Sequence, residues 1–221
     1  MKTKINISLL CCVILAISNN FAWSLDKNAP SPSESETSKE YINIRHPTDG
    51  VAFMMGAYSP FNSDMKDIYG SAFTISGQYC LNMSRFLDLL GSIGYTHKGG
   101  NPYYGDLTFT SGEFSTITIV PIEMSIRGRL AFMKEPARGL FAGIGINYIR
   151  VTEKVPDIVS AKGGDFGMHL FVGPQIFLRD GLAFEGEIKL LMNEIDMKDG
   201  SLRYPITLSG LTIKAGLSWY Y

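Results

Sequence analysis

From Gly50 to Tyr221, apolar and polar residues alternate at period two in one segment after another. The clearest is the last, where Leu211, Ile213, Ala215, Leu217, Trp219 and Tyr221 share one phase. Gly210, Thr212, Lys214, Gly216, Ser218 and Tyr220 share the other. Successive side chains of a strand point to opposite faces, so this is a strand with an oily and a polar face. Five more segments read the same way. Phe73, Ile75, Gly77, Tyr79 and Leu81 form one oily set, and Leu87, Leu89, Gly91, Ile93 and Tyr95 the next. Leu140, Ala142, Ile144, Ile146 and Tyr148 follow, with Phe141 an apolar residue on the polar phase. Phe166, Met168, Leu170, Val172, Pro174 and Ile176 make another, then Leu182, Phe184, Gly186, Ile188, Leu190 and Met192. In the segment Ser115–Leu130 the phase changes: Ile117 and Ile119 lie on one side, Ile122, Met124 and Ile126 on the other. Proline cannot donate to a ladder, so the change at Val120–Pro121 predicts a β-bulge. Gly50–Ser59 is a further strand whose facing stays ambiguous between Phe53, Met55, Ala57 and Met54, Gly56, Tyr58.

The count is eight strands. Asn82–Arg85 and Arg179–Gly181 are tight turns, Lys134–Arg138 is a somewhat longer one, and 60–70, 98–113, 154–163 and 196–204 read as loops. No helical crossover is needed, so the predicted fold is all-β, an eight-stranded antiparallel up-and-down barrel. Polarity decides its class. An eight-stranded barrel has a lumen only wide enough for side chains to fill. The oily set carries many large members and the opposite set is rich in Gly, Ser and Thr. Small and polar residues suit the lumen, and large apolar ones suit lipid, so the barrel is predicted to be transmembrane. The clear oily sets hold no Asp, Glu, Lys or Arg before the strand ends, where Arg150 lies. A charge on the lipid face costs roughly 2–4 kcal/mol at the midplane. Tyr79, Tyr95, Tyr148, Trp219 and Tyr221 fall towards strand ends, as interfacial aromatics do.

The preceding chain is different. Lys2 and Lys4, the apolar run Ile7–Ile17, and small Ala22 and Ser24 make residues 1–24 a cleaved signal peptide. Residues 25–49 are rich in Ser, Pro and Glu and predict a flexible periplasmic linker, which leaves 50–221 for the barrel. Export into an oxidising compartment permits disulfides, but Cys80 is the single cysteine after the signal peptide. A formal net charge of -1 gives no nucleic-acid footprint. With the linker starting in the periplasm, an even strand number puts the tight turns there and the longer loops outside.

The run IVPIEMSIRGRL followed by GLFAGIGINY, the terminal aromatic with Leu217 and Trp219 in phase before Tyr221, and the eight-strand count carry a resemblance. The chain resembles the small outer-membrane β-barrel family that includes opacity proteins, OmpX and the OmpA membrane domain. The resemblance covers about Gly50–Tyr221. It implies residence in the bacterial outer membrane, and that the barrel-assembly machinery reads Leu217, Trp219 and Tyr221.

The lumen phase carries Asp88, Glu123, Arg127, Arg129, Glu185, Glu187, Lys189 and Lys214, both signs together. Closing the barrel sets the last strand beside the first and the seventh, so Lys214 is expected near the acidic seventh strand. An uncompensated buried charge is costly, which predicts an interior ion-pair network filling a polar lumen. Catalysis is not expected. His46 lies in the linker, His97 on the oily phase, and His169 in the lumen with no serine evidently beside it. No metal-ligand spacing or cofactor motif is present. Expected partners are outer-membrane lipid and lipopolysaccharide, whose phosphates Arg150 and Lys98 would meet, and a surface partner through loop aromatics such as Tyr103, Tyr104, Phe109 and Phe114. The function expected is a non-enzymatic structural or adhesin-like role. The alternatives are a narrow channel for small hydrophobic molecules, favoured if large apolar side chains line the lumen, and a lipid-A-modifying enzyme.

Overall fold

The computed structural model describes residues 49–84, 86–100, 115–130, 138–154, 160–199 and 202–221. The signal peptide, nearly all of the linker, and Tyr103, Tyr104, Phe109 and Phe114 lie outside them. Strands are β1 (Asp49–Pro60), β2 (Ala72–Ser84), β3 (Leu87–Gly100), β4 (Ser115–Leu130), β5 (Arg138–Lys154), β6 (Ala161–Arg179), β7 (Leu182–Met192), β8 (Glu194–Asp199), β9 (Leu202–Thr207) and β10 (Gly210–Tyr220). All pairings are antiparallel. β1–β7 and β10 run as neighbours and close through β5–β6. This is an eight-stranded up-and-down barrel. Closure leaves each of its strands paired on both sides, the only way a sheet survives in hydrocarbon.

The outer surface is the oily set. Phe73, Ile93, Ile126, Ile144, Val172, Ile188, Ile213 and Trp219 are all exposed, while Asp88, Arg127, His169 and Glu185 are 2 % exposed or less. The ambiguity in β1 is resolved: Phe53, Met55 and Ala57 face out, and Met54 and Tyr58 face in.

Several expectations are corrected. β4 contains no bulge. Its register with β5 is unbroken from Thr116 to Leu130, and its register with β3 is the same on both sides of Pro121. Ile117 and Ile119 are buried, on the face that also carries Glu123, Ser125 and Arg127. The phase change is therefore a change in what the lumen contains, not in which way the strand faces. Irregularities occur instead at Asn82/Ser84 and Phe177/Arg179, beside the two tight turns. The second turn uses Gly181 at φ 73, open to glycine without a Cβ clash.

The 60–70 connection is a helix, α1 (Ser63–Tyr69), and not a loop. Asn62 caps it by accepting from the Asp64 and Met65 backbone N–H groups, and Gly70 ends it at φ 59. Seven residues give no helical periodicity long enough to register beside strands. The 196–204 stretch is mostly strand. β8 carries β7 onward along β6 in the same register, past a break at Asn193, and turns back as β9, which leads into β10. β3, β5 and β6 likewise run further into the expected loops, to Gly100 and Lys154 and from Ala161.

Candidate functional site

The lumen is built in three layers. Nearest the short turns, Arg127 occupies the centre. Its Nε donates to Asp88 Oδ2 at 2.9 Å and its Nη1 to Glu185 Oε2 at 3.2 Å. Its Nη2 donates to the Tyr220 hydroxyl at 3.1 Å and faces Cys80 Sγ at 3.3 Å, and the guanidinium lies 5.0 Å from the Phe141 ring centroid. Arg129 adds a two-point pair to Asp88 at 2.9 and 2.8 Å. Gln175 and the Tyr220 hydroxyl each donate to Glu185 Oε1 at 2.6 Å. Every oxygen of the two acids is thus used, which is what allows buried charges to persist.

One layer further, Lys189 Nζ donates to Glu123 Oε2 at 2.5 Å and lies 3.3 Å from Glu187 Oε1. Lys214 sits opposite Glu187 in the β10–β7 register, at 2.9 Å, and donates to Ser76 Oγ at 3.2 Å. Ser92 donates to Glu123 at 2.7 Å. β4 and β7 are not neighbours in the sheet, so Arg127–Glu185 and Lys189–Glu123 cross the lumen. All eight charged residues singled out from the sequence fall in these two layers.

The third layer is apolar. Tyr58, Met65, Tyr69, Ile117, Ile119, Ile149, Val151, Leu191, Ile195, Met197 and Leu208 form one buried cluster beneath α1 and the β8–β9 hairpin. The lumen is therefore polar only over part of its length, a correction to the uniformly polar filling expected. Tyr69 ties the cap down, donating to Glu153 Oε1 and lying 3.1 Å from Ser115 Oγ, while the Tyr204 hydroxyl donates to Glu153 Oε2 at 3.4 Å. Burial first, then the bond to Glu153, raises the Tyr69 phenol above its ordinary pKa and keeps it a donor. Between cap and charges is a cavity of about 40 Å³ walled by Tyr58, Ile119, Pro121, Ile149, Leu191 and Leu208, by the hydroxyl residues Thr74, Ser76, Thr96 and Thr212, and by Glu123, Lys189 and Lys214.

Sequence reading missed the serine beside His169. The His169 Nε2 and Ser125 Oγ are 2.7 Å apart, and Asn147 Nδ2 lies 3.3 Å from His169 Nδ1. The three come from β6, β4 and β5, and Gly145 between them makes the approach feasible: a Cβ there would sit 2.4 Å from Ser125 Oγ and 2.6 Å from His169 Cε1. A small residue opposite two polar ones on the lumen phase was the only available signal. Ser, His and Asn within reach form a set used in acyl transfer. In the orientation Asn147 holds, its amide donates to Nδ1, so Nε2 carries the proton and donates to Ser125. That is the reverse of a general base. His169 and Asn147 are 1 % exposed or less and lie beneath the apolar cap. A fluorophosphonate probe is expected to leave Ser125 of the folded barrel unlabelled. Stoichiometric labelling lost in Ser125→Ala would show the set to be reactive.

The C-terminal residues Leu217, Trp219 and Tyr221 all face outward and are more than half exposed. Arg150 is outward and exposed, but Lys98 falls on the lumen phase, opposite Ile117, and is half-buried. His97 faces out, with Nδ1 3.0 Å from Thr118 Oγ1. Among the described residues no cluster of His, Cys, Asp and Glu has metal-binding geometry.

No family model matches the sequence, and no curated protein does. Solved structures do. The outer membrane protein OprG from Pseudomonas aeruginosa aligns at a TM-score of 0.60 and 10 % identity, over 80 % of this chain and 97 % of that one. Neisserial surface protein A (NspA) aligns at 0.55 and 11 %, over 78 % and 96 %. Outer membrane protein AlkL, solved in lipid bilayers, aligns at 0.52 and 11 %, over 88 % and 97 %. The chain has the fold of the small outer-membrane β-barrels.

Proposed function

We propose that this chain is an integral protein of the bacterial outer membrane, without catalytic activity, whose barrel is a filled anchor for a surface-interaction role. The fold shared with outer-membrane barrels supports the location, together with the outward oily belt and the predicted signal peptide. The periplasmic side is then the end with the short turns, and α1 and the β8–β9 hairpin stand at the cell surface. N-terminal sequencing of the mature protein is expected to begin near Leu25. Leu217, Trp219 and Tyr221 are presented outward where the assembly machinery would read them.

The observation that carries the anchor reading is the filled lumen. Among the described residues, two layers of ion pairs crossing the interior and an apolar cap enclose a cavity with room for a few waters. Such a barrel presents its outer end and does not conduct. In a planar bilayer, the purified protein is expected to give no discrete conductance steps. Regular steps that vanish with denatured protein would refute the anchor reading and assign a pore.

The apolar outer layer favours a second reading, a passage for small hydrophobic molecules. Its walls at Ile119, Pro121, Ile149, Leu191 and Leu208 are the large apolar lining such a passage would need. Faster entry of a hydrophobic naphthylamine dye into vesicles with a lipopolysaccharide outer leaflet, relative to protein-free ones, would favour it over the anchor.

A further inference from the structure

β-Pairing at the helix end aligns cations that the alternation along any one strand does not reveal. Lys162 on β6 is directly opposite Lys198 on β8, and Lys198 is directly opposite Arg203 on β9. On the other side Lys162 pairs with Thr152, which Arg150 and Lys154 flank on β5. All five cations are exposed on the outward face. Like charges directly opposite one another in a sheet repel. The carboxylates sharing this face are Glu194 and Asp196, and no ion pair joins either to the row among the described residues. A row of three cations held in register by backbone pairing is unfavourable by itself and favourable against a polyanion.

Its height identifies the polyanion. Tyr148 and Phe166 are outward and opposite each other, with ring centroids 5.2 Å apart, and mark the upper edge of the oily belt. Arg150 is two residues above Tyr148, and Thr152, opposite Lys162, is four above it. At about 3.3 Å per residue and a tilt near 40°, these stand roughly 5 and 10 Å above the aromatics. The interfacial zone is about 5–7 Å deep on each side. Arg150 is thus within it and the row stands a few Å beyond it, with lysine stems long enough to reach back down.

From this register and height we infer that Lys162, Lys198 and Arg203, with Arg150 beneath them, form a binding face for the phosphates of a lipopolysaccharide molecule in the surrounding outer leaflet. The inference rests on the outer-membrane reading above and gives its bare partner class a site. Arginine pairs with phosphate at two points and lysine as a point charge, so a row of both grips several phosphate oxygens at once. Lys98, on the lumen phase, takes no part.

The full mature chain would be refolded in micelles with bis-phosphorylated lipid A and its retained lipid read by native mass spectrometry. Wild type is expected to keep lipid A, and K162Q/K198Q/R203Q to retain at least tenfold less at the same lipid concentration. K66Q, which removes a cation from α1 outside the row, should retain as much as wild type. Dephosphorylated lipid A should not be retained. Equal retention by wild type and the triple variant, or equal retention of dephosphorylated lipid, overturns the inference. So does a triple variant that loses affinity for a soluble sulfated polysaccharide and not for lipid A, which would make the row a site for an external glycan. Mobility on gels with and without boiling separates the two levels. A wild-type chain showing no shift refutes the barrel in the membrane, whereas a shifting chain indifferent to lipid A refutes only the phosphate site. Should the triple variant not fold, K198Q alone is expected to weaken retention severalfold.

Discussion

Replacing Arg127 by methionine is expected to destabilise the folded barrel by about 3–5 kcal/mol, the usual cost of stripping one partner from a buried ionic network. Arg127 is 2 % exposed and its guanidinium joins Asp88, Glu185, Tyr220 and Cys80 from four other strands. Methionine fills similar space but leaves two carboxylates facing a position that water reaches poorly. Asp88 retains Arg129, and Glu185 retains Gln175 and Tyr220, so the loss falls short of exposing both acids fully. Urea-induced unfolding in lipid vesicles would measure it. R127M combined with E185Q should recover part of the loss, because Asp88 keeps its pair with Arg129 and no buried carboxylate is then left without a cation. A single variant that unfolds at the wild-type urea concentration would mean that the cluster is solvated and holds nothing together.

The second large effect tests the outside of the barrel. Ile144 is the middle member of the outward set on β5, between Leu140 and Tyr148, with Ile126 and Leu170 opposite it on β4 and β6. Placing arginine there is expected to cost about 2–4 kcal/mol of stability in a bilayer, the range for a cation at the midplane. The same change at Tyr148, at the upper edge of the belt, should cost about 0–1 kcal/mol. The contrast matters more than either number. In water Ile144 would already be a surface residue, and arginine there would be harmless. Equal, small effects at both sites in vesicles would remove the oily face from contact with lipid and with it the transmembrane reading.

Much of this architecture is legible one strand at a time. In β10, Ile213 and Leu217 belong outside and Lys214 and Ser218 inside because a strand's side chains alternate, whatever the strand pairs with. The same local rule places Glu185, Glu187 and Lys189 in the lumen. It misled in β4, where Ile117 and Ile119 break the polarity without breaking the alternation. An apolar lumen layer and a bulge leave the same mark on a sequence, and only the continuous β4–β5 register separates them. Helix α1 escaped notice because one capped pair of turns has too little period to detect.

What alternation alone determined, then, is the face of each side chain: the outward belt, the charged lumen, and hence a membrane barrel of eight strands. Which lumen residue meets which is a matter of closure. Arg127 reaches Glu185, and Ser125 reaches His169, only because strands distant in sequence are brought round a common axis at a fixed stagger. The cationic row has the same origin, since Lys162, Lys198 and Arg203 are ordinary exposed charges until β8 extends the pairing with β6 and β9 turns back along β8, which sets them side by side.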